Sequence, residues 1–264
     1  MAMILSLGSS SKGNCTYIGD KQCGIIIDAG IGIRAVTSLL KFADIDDDAV
    51  KAIFVTHEHS DHIKGLKPLT AKTKADVYST AETLEQLIHK DAVSSNVSLF
   101  EINKKSRSVG DFSVTAFDTP HDSVHSVGYK VHTPDNKIIS VCTDLGHIPI
   151  SVSETISGSD FVILESNYDK FMLENGVYPW FLKKRISGDN GHLSNNDCAA
   201  EIEKLITSGT EHFMLAHLSD ENNFPATAMG HAVAHLEKLD MKIENDYTLK
   251  VAPKKSIGQI IELP

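Results

Sequence analysis

Short apolar runs rich in β-branched residues recur along the 264-residue chain. Runs of this length and composition predict buried or half-buried β-strands. They occupy residues 3–7, 24–27, 51–55, 112–117, 137–141, 160–164 and 212–216. A further apolar stretch, Val127–His132, is separated from the run at 137–141 by a turn over Pro134–Asn136, and this arrangement predicts a hairpin. The sheets are therefore expected to be mixed rather than purely parallel.

Between the strands, apolar residues recur at helical spacing. The pattern predicts helices over residues 31–42, 81–89, 195–207 and 225–239. Ser194 or Asn195 is the predicted N-cap of the third helix, because a side-chain oxygen there can accept from a free backbone N–H. Strands mixed with helices throughout predict α/β layers. Without repeats, low-complexity tracts or a Pro/Gly/Ser-rich linker, we expect residues 1–264 to form one domain.

Composition narrows the class of protein. Apolar residues make up 41% of the chain, enough for a sizeable core. The four cysteines show no CxxC pairing, and we find neither a signal segment nor an apolar run long enough to span a bilayer. We therefore expect a cytoplasmic protein with reduced thiols, no membrane partner and no cysteine-based zinc site. A net charge of −10 does not by itself predict a nucleic-acid-binding surface.

The strongest chemical signal is Thr-His-Glu-His-Ser-Asp-His at residues 56–62. Packing does not account for three imidazoles and two carboxylates at this density, because such groups desolvate badly. On a turn after a strand, His57 and His59 would project to one side, and Asp61 and His62 towards a second point. This spacing suits two adjacent metal ions rather than a four-ligand zinc finger or a helical HExxH site. The alternative is a histidine-rich surface turn.

Five other polar residues share one position relative to the predicted strands. Each follows the end of an apolar run, as His57 does: Asp28, His121, Asp144, Glu165 and His217. Groups just beyond strand ends gather along one edge of a layered α/β fold, where clefts form. Any one of these residues alone is typical of a turn, but together they predict a site.

The segment from His57 to His62 resembles the HxHxDH signature of the metallo-β-lactamase superfamily, and the other residues follow in that family's chain order. The resemblance extends from Ile27 to His217 and implies a four-layer αββα sandwich with metal ions at one edge. It implies one ion on His57, His59 and His121, a second on Asp61, His62 and His217, and Asp144 bridging both. Asp28 would support a ligand histidine or the loop backbone without binding metal itself.

Four blocks, at residues 8–14, 165–169, 191–195 and 217–223, resemble the WalJ/YycJ-type branch of the superfamily, which comprises bacterial DNA exonucleases. Aspartate rather than cysteine at position 144 argues against the zinc β-lactamases that use a cysteine ligand. The resemblance implies a two-metal phosphodiesterase, specifically a DNA exonuclease of the 5′–3′ type. Sites built from His and Asp accept Zn²⁺, Mn²⁺ or Fe²⁺, so the residues do not select one metal.

The expected mechanism rests on two divalent ions about 3.5–4 Å apart, which lower the pKa of a bridging water to roughly 7 and so provide a hydroxide nucleophile. The departing alkoxide needs a proton, and His192 is the candidate donor. Glu165 is expected to orient it, as carboxylates fix imidazole tautomers. The related tRNA-processing branch uses a Glu and a His at these motif positions. Asp61, His192 and Glu165 are therefore the predicted catalytic group.

Candidate substrate contacts are weaker signals. Ser10 and Asn14 stand in a Gly-flanked loop that could bind an anion, and Ser219 and Asn222 could act in the same way. Lys183 and Arg185 belong to a basic cluster that could track a phosphate backbone, as could a second cluster at residues 104–107. Bare turns and solvated faces are the alternatives. Two metal ions would add about four positive charges where phosphate binds, which offsets the acidic net charge.

Several other functions stay open at this stage. A phosphodiesterase acting on small cyclic phosphates would share the metal site but needs a narrow pocket and no basic track. An RNA-processing nuclease would need a long insertion to grip tRNA, and a glyoxalase-type thioesterase an added helical domain; neither is evident. A metal-binding regulatory module would be expected to lack part of the ligand set, whereas all seven predicted ligands are present. DNA is the favoured partner, and the pattern makes no prediction of oligomeric state.

Overall fold

The computed structural model describes residues 2–254 and 260–263 and contains two seven-stranded β-sheets. The first sheet has the strand order β14-β1-β2-β3-β4-β5-β6. Its strands are β1 (Met3–Gly8), β2 (Cys15–Gly19), β3 (Gly24–Ile27), β4 (Val50–Phe54), β5 (Asp76–Ser79), β6 (Leu99–Glu101) and the last strand, β14 (Ile260–Glu262). The strands from β3 to β6 are parallel, whereas β14, β1, β2 and β3 pair antiparallel.

The second sheet has the order β13-β12-β11-β10-β9-β8-β7. Its strands are β7 (Arg107–Val109), β8 (Phe112–Asp118), β9 (Val127–His132), β10 (Ile138–Cys142), β11 (Phe161–Glu165), β12 (His212–Ala216) and β13 (Thr248–Val251). The strands from β10 to β13 are parallel. The strands β9 and β10 form the predicted antiparallel hairpin, with Ile139 opposite Val131. Both sheets are therefore mixed, as the hairpin pattern predicted.

The remaining regular elements are helices. They are α1 (Ile33–Phe42), α2 (Ser60–Ile63), α3 (Leu66–Thr73), α4 (Ala81–His89), α5 (Ile150–Ile156), α6 (Lys170–Asn175), α7 (Trp180–Ile186), α8 (Asn195–Thr207) and α9 (Pro225–Glu237), together with a 3-10 turn at Asp47–Ala49. Ser194 is the N-cap of α8, and its hydroxyl oxygen accepts from the N–H of Asp197. Among the residues described, no helix combines the length and apolar character needed to cross a bilayer.

Three apolar layers hold the sandwich together. Ile25 and Phe54 of the first sheet pack between the sheets against Val114 and Ile163 of the second. A second cluster joins the outer face of the first sheet to α1, α3 and α4, and a third joins the second sheet to α5, α8 and α9. Each sheet thus buries both faces, which is why its central strands are continuous apolar runs. The predicted four-layer αββα sandwich is confirmed.

The direction of the strands brings the predicted site residues together. The strands β3 and β4 run parallel in one sheet, and β10, β11 and β12 in the other. Since β8 and β10 are both antiparallel to β9, they run in the same direction. Asp28, His57, Asp144, Glu165 and His217 lie at or just beyond the C-terminal ends of these strands. The edge where the strands end therefore carries the chemistry.

The segments that the apolar pattern missed are short. They include α2, α6 and α7, and strands of three to six residues such as β2, β6 and β7. Such elements present too few residues for a period to be recognised. The first predicted helix begins at Ile33 rather than at residue 31, after the N-cap Gly32. The helix predicted to reach residue 239 ends at Glu237.

Candidate metal centre

Three of the residues at this edge have a left-handed backbone. The φ angles of Asp28, Asp144 and His217 are 59°, 60° and 55°. Positive φ is uncommon outside glycine, although Asp and His tolerate it better than most residues. Each of the three directly follows a strand or is one residue removed from it. The chain therefore turns sharply at these points, and such strained positions cluster at functional sites.

The loop between β4 and α2 carries the histidine-rich motif and is held by Asp28. The Oδ1 atom of Asp28 accepts from the N–H of Thr56 at 2.8 Å. Its Oδ2 atom lies 2.8 Å from Nδ1 of His62, which donates to it. The other ring nitrogen, Nε2 of His62, is thereby left for a different partner. Asp28 therefore holds both the loop backbone at Thr56 and the ring of His62, a candidate ligand.

One group of candidate ligands consists of His57, His59 and His121. A ligand atom from each lies within 4.8 Å of those of the other two. The Nδ1–H of His121 donates to the carbonyl oxygen of Gly191 at 3.0 Å. The other ring nitrogen of His121, Nε2, lies 3.3 Å from Nδ1 of His59. The three rings therefore converge as metal-binding imidazoles do.

A second group consists of Asp61, His62 and His217, again with ligand atoms within 4.8 Å of one another. The Oδ2 atom of Asp61 lies 3.6 Å from Nε2 of His62 and 3.5 Å from Nε2 of His217. Asp144 stands between the two groups. Its Oδ2 lies 3.4 Å from Nε2 of His62, and its Oδ1 lies 3.7 Å from Nε2 of His121. The carboxylate of Asp144 therefore faces a histidine of each group.

Unpartnered polar atoms show that this donor set fits a cation. Among the described residues, Nε2 of His57, Nε2 of His217 and Oδ2 of Asp144 are buried without a hydrogen-bond partner. A buried polar group without a partner costs about 1–3 kcal/mol, so native structures leave few of them. Imidazole nitrogens and carboxylate oxygens are ligands for divalent metals. Cations held by the two groups would provide partners for these atoms.

The two groups differ in electrostatic surroundings. Burial lowers the pKa of His57, and the neighbouring histidine rings lower it further. Burial also lowers the pKa of His62 and His217, but carboxylates outweigh it. Asp144 and Asp28 raise the pKa of His62, and Asp144 is the main cause that raises the pKa of His217 to about 10. The second group therefore attracts positive charge strongly, whether a proton or a metal ion supplies it.

Glu165 ties a candidate ligand to a candidate proton donor. Its Oε2 atom accepts from the backbone N–H groups of Leu145 and Leu193 at 3.1 and 2.9 Å. Its Oε1 atom lies 2.6 Å from Nδ1 of His217 and 3.0 Å from Nδ1 of His192. Burial raises the pKa of Glu165, but His192 and His217 outweigh burial and lower it. An ionised carboxylate therefore fixes the orientation of both rings.

His192 lies at the edge of the cluster. Its side chain is 18% exposed, and its ring centroid is 5.1 Å from that of His121 and 5.2 Å from that of His217. The ring is thus in contact with both candidate groups and with solvent. This position suits a group that exchanges protons with a substrate.

The loop after β1 contacts the second group. Asn14 and Ser10 bond to each other, with the N–H of Ser10 donating to Oδ1 of Asn14 at 3.2 Å. The Nδ2 atom of Asn14 lies 3.1 Å from Nε2 of His62. Ser219 and Asn222 form a buried turn in which the Ser219 hydroxyl accepts from the N–H of Asn222 at 3.2 Å.

The two basic residues predicted to contact substrate lie on α7. Arg185 pairs with Asp122, whose Oδ1 lies 3.4 Å from Nε2 of His121. Lys183 donates to the carbonyl oxygen of Glu174 at 2.8 Å. The charge of Arg185 is therefore balanced by Asp122, next to the first group of candidate ligands. The ammonium group of Lys183 is bonded only to a backbone oxygen among the contacts found in the described residues.

Several supporting residues escaped the sequence analysis. The hydroxyl of Ser9 accepts from the N–H of His217 at 2.8 Å. The Nδ2 atom of Asn167 donates to the carbonyl oxygen of His217, also at 2.8 Å. A Cβ atom on Gly30 would lie 1.5 Å from the carbonyl oxygen of Asp61, so this position admits no side chain. Ser9 and Asn167 stand inside the motif blocks, but nothing local predicts contacts with a residue as many as 208 positions away.

Comparison with known proteins agrees with this geometry. Residues 24–218 match the family model of the β-lactamase superfamily domain. The chain is 36% identical to exodeoxyribonuclease YycJ of Bacillus anthracis over 84% of each chain. It is 32% identical to exodeoxyribonuclease WalJ of Streptococcus pneumoniae over 91% of this chain and 90% of the relative. The metallo-β-lactamase fold protein YhfI from Bacillus subtilis superimposes with a TM-score of 0.73 at 14% identity, covering 99% of this chain and 100% of that one.

The chain belongs to the β-lactamase superfamily and is a metal-dependent hydrolase. The resemblance to the WalJ/YycJ-type branch is confirmed. The clusters of His and Asp side chains indicate divalent metal binding.

Proposed function

We propose that the protein is a two-metal phosphodiesterase that removes nucleotides from DNA ends in the 5′–3′ direction. The observation that carries the proposal is the pair of ligand groups with Asp144 between them and unpartnered nitrogen and oxygen atoms at their centre. The names of the two bacterial relatives support DNA as the substrate.

In this proposal, His57, His59 and His121 would hold one ion, Asp61, His62 and His217 would hold the other, and Asp144 would contribute to both sites. When bound, two divalent ions activate water and neutralise the charge that develops on phosphate oxygens. The protein itself keeps the ligand atoms in register: Asp28 holds His62, and Glu165 holds His217. Zn²⁺, Mn²⁺ and Fe²⁺ all suit such ligands.

His192 is the proposed proton donor. Its Nδ1–H bonds to Glu165, so the same ring can release a proton from Nε2 to the departing alkoxide and remain oriented. Positioned acids of this kind contribute about 10²- to 10⁴-fold to rates.

Substrate contacts are proposed for the groups that the protein leaves unused. The hydroxyl of Ser10 accepts from Lys12 and keeps its hydrogen to donate, and the Nδ2 atom of buried Asn222 has no partner among the described residues. Asn14 lies beside His62, and Ser219 orders the turn of Asn222. Lys183 and Arg185 on α7 are proposed to face the phosphate backbone.

The test is hydrolysis by metal-reconstituted protein of single- and double-stranded DNA labelled at either the 5′ or the 3′ end. RNA of the same sequence and a 2′,3′-cyclic nucleotide are assayed beside it, and His59→Ala is the blank. Release of the 5′ label as mononucleotide, with stepwise loss of DNA that is absent in the blank, supports the proposal. Turnover of the cyclic nucleotide with intact DNA would make the protein a small-molecule phosphodiesterase instead.

Two further outcomes would also replace the proposal. Preferential degradation of RNA would assign an RNA-processing nuclease. Stable metal binding without turnover of any of the four substrates would assign a regulatory module. Each outcome is read against the metal content of the same preparation, so loss of metal is not mistaken for loss of function.

A further inference from the structure

The segment from α6 to α7 exposes aromatic side chains to solvent. Phe171 on α6 is 72% exposed, and Trp180 and Phe181 at the start of α7 are 76% and 73% exposed. Scattered single apolar residues are normal on a surface, but three large exposed rings in one short segment call for an explanation. The segment is nevertheless anchored, because Leu173 and Ile186 pack with Tyr168 in a small core beneath it.

A groove of about 550 Å³ runs beside this segment. Its walls include the ring of Trp180 and three lysines, Lys170, Lys183 and Lys184. Two acids, Glu174 and Asp197, also line it. Lys170 pairs with Asp197 at 3.3 Å, and Lys183 meets a backbone oxygen. Three lysines face two acids, so the groove is net positive in a protein of charge −10. Within the described part of the chain, Lys184 has no ion-pair partner.

The groove is lined by a residue that follows Asp144 closely in the chain. Gly146, which lines the groove, is two residues from Asp144, and so their Cα atoms are at most about 7.6 Å apart. A Cβ atom on Gly146 would lie 2.3 Å from the carbonyl oxygens of Gly188 and Asp189, so the loop after α7 packs on it directly. The N–H of His192 then donates to the carbonyl oxygen of Ile186 at 2.8 Å. The segment that follows α7 thus connects the wall of the groove to the candidate proton donor.

We propose that this groove binds an unpaired strand of the DNA substrate, with a base stacked on Trp180 and phosphates at Lys183 and Lys184. The inference rests on the proposed function and deepens it by naming the strand form. Single-stranded nucleic acid is recognised by aromatic rings beside a positive track, because each unpaired base has a free π-face. The bases of a duplex are stacked on one another and offer no such face. Cations around exposed rings favour a polyanion over an acidic or purely apolar partner.

Binding is measured apart from hydrolysis, with a fluorescein-labelled thymidine 12-mer whose phosphorothioate linkages resist cleavage. The same length of phosphorothioate duplex is the comparison. Trp180 is the chain's one tryptophan, so a change in tryptophan emission on adding the unlabelled single strand reports contact at the groove. We expect such a change, and tighter binding of the single strand than of the duplex. Binding of the duplex alone, or no change in emission at saturation, would overturn the inference.

Substitutions test whether the ring of Trp180 contacts the single strand. Trp180→Ala is expected to weaken single-strand binding roughly 5- to 150-fold, the range for loss of one stacked base. Trp180→Phe should restore most of it, since a smaller ring still stacks. Phe42→Ala removes a ring that is 67% exposed on α1, against the other sheet, and should leave affinity unchanged. Equal effects of Trp180→Ala and Phe42→Ala would overturn the proposal.

A contact between Lys184 and a phosphate is tested by the salt dependence of binding. Lys184→Gln should reduce the slope of log affinity against log salt by about 0.7, the value for one phosphate on a single strand. Lys238→Gln, an exposed lysine after α9, is the matched control and should leave the slope unchanged. An unchanged slope in Lys184→Gln would exclude phosphate contact at that position.

Failure of this inference is distinguishable from failure of the proposed function. If metal-loaded protein degrades DNA while Trp180→Ala binds the single strand normally, the groove inference fails and the nuclease stands. If the protein hydrolyses bis(p-nitrophenyl) phosphate but neither binds nor degrades DNA, the proposed function fails. If sedimentation shows that the wild type is a dimer and Trp180→Ala a monomer with unaltered strand binding, a second copy occupies the groove and the inference is wrong.

Discussion

The Nδ1 atom of His192 lies 3.0 Å from the Oε1 atom of Glu165, at the solvent edge of the proposed metal centre. The same oxygen lies 2.6 Å from Nδ1 of His217. One buried carboxylate therefore orients a candidate proton donor and a candidate metal ligand together. Changes at Glu165 would disturb both functions, so their separation requires substitutions of the individual histidines.

His192→Ala should retain both metal ions and lose about 10²- to 10⁴-fold in kcat on DNA, because it removes an acid but no proposed ligand. Steady-state hydrolysis and metal content by mass spectrometry measure the two effects on one preparation. His89→Ala changes an exposed histidine at the end of α4 and serves as the control. Normal turnover of His192→Ala would remove this residue from the mechanism.

Asp144→Asn should lose at least one metal ion and lower turnover by about 10²-fold or more, since an amide is a weak bridging ligand. Asparagine tolerates the φ of 60° at this position, so the backbone is preserved. Asp91→Asn, with a φ of 49° on the surface, is the matched control. Full metal content in Asp144→Asn would contradict a bridging role.

Asp28→Asn should weaken metal affinity about 10- to 100-fold, because the carboxylate holds Nδ1 of His62 without itself being a proposed ligand. Competition with a chromogenic chelator measures the affinity. Asp44→Asn, another aspartate with a left-handed backbone but an exposed side chain, should behave as wild type. An unaltered affinity in Asp28→Asn would show that Thr56 alone suffices to hold the loop.

Gly30→Ala should destabilise the protein by about 2 kcal/mol or more, because its Cβ would lie 1.5 Å from the carbonyl oxygen of Asp61 and force the loop to move. Urea unfolding measures the change in the midpoint. Gly32→Ala, where no atom lies within 4 Å of the added Cβ, is the control two residues away. Equal stability of the two variants would refute the packing argument.

His125→Gln should reduce stability below pH 6.5 and have little effect at pH 9. Burial lowers the pKa of His125, but hydrogen bonds to Asp118 and Glu82 outweigh it and raise the pKa. A raised pKa means that the stabilisation is present below the ordinary value of about 6.5 and is lost as the pH rises through the raised one. These side chains are between 37% and 55% exposed, so water screens the pairs and less than about 1 kcal/mol is expected.

Urea unfolding of His125→Gln and wild type at pH 6 and pH 9 measures this pH dependence. A loss of stability in the variant that is equal at both pH values would indicate packing rather than charge. A larger loss at pH 9 would reverse the sign and contradict the pKa shift.

The spacing of apolar residues was sufficient to predict many of the core helices and strands and the candidate metal ligands. The helices at 81–89 and 195–207 were predicted with their observed bounds, because their apolar periods are long enough to recognise. The position of Asp28, Asp144 and His217 after apolar runs was also visible, since strand ends are local features. Short elements such as α6 and α7 were missed, and with them the exposed setting of Trp180.

By itself, the sequence determined which residue types were available for metal chemistry and that they follow apolar strands. Only the tertiary structure decided which strand ends adjoin, because sheet order depends on pairing between distant segments, such as β12 with β13. It also decided that Ser9 meets His217 and that one oxygen of Glu165 serves both His192 and His217. The spacing of apolar residues shows which side of its own helix or strand a residue occupies. These contacts instead arise from packing between elements far apart in the chain.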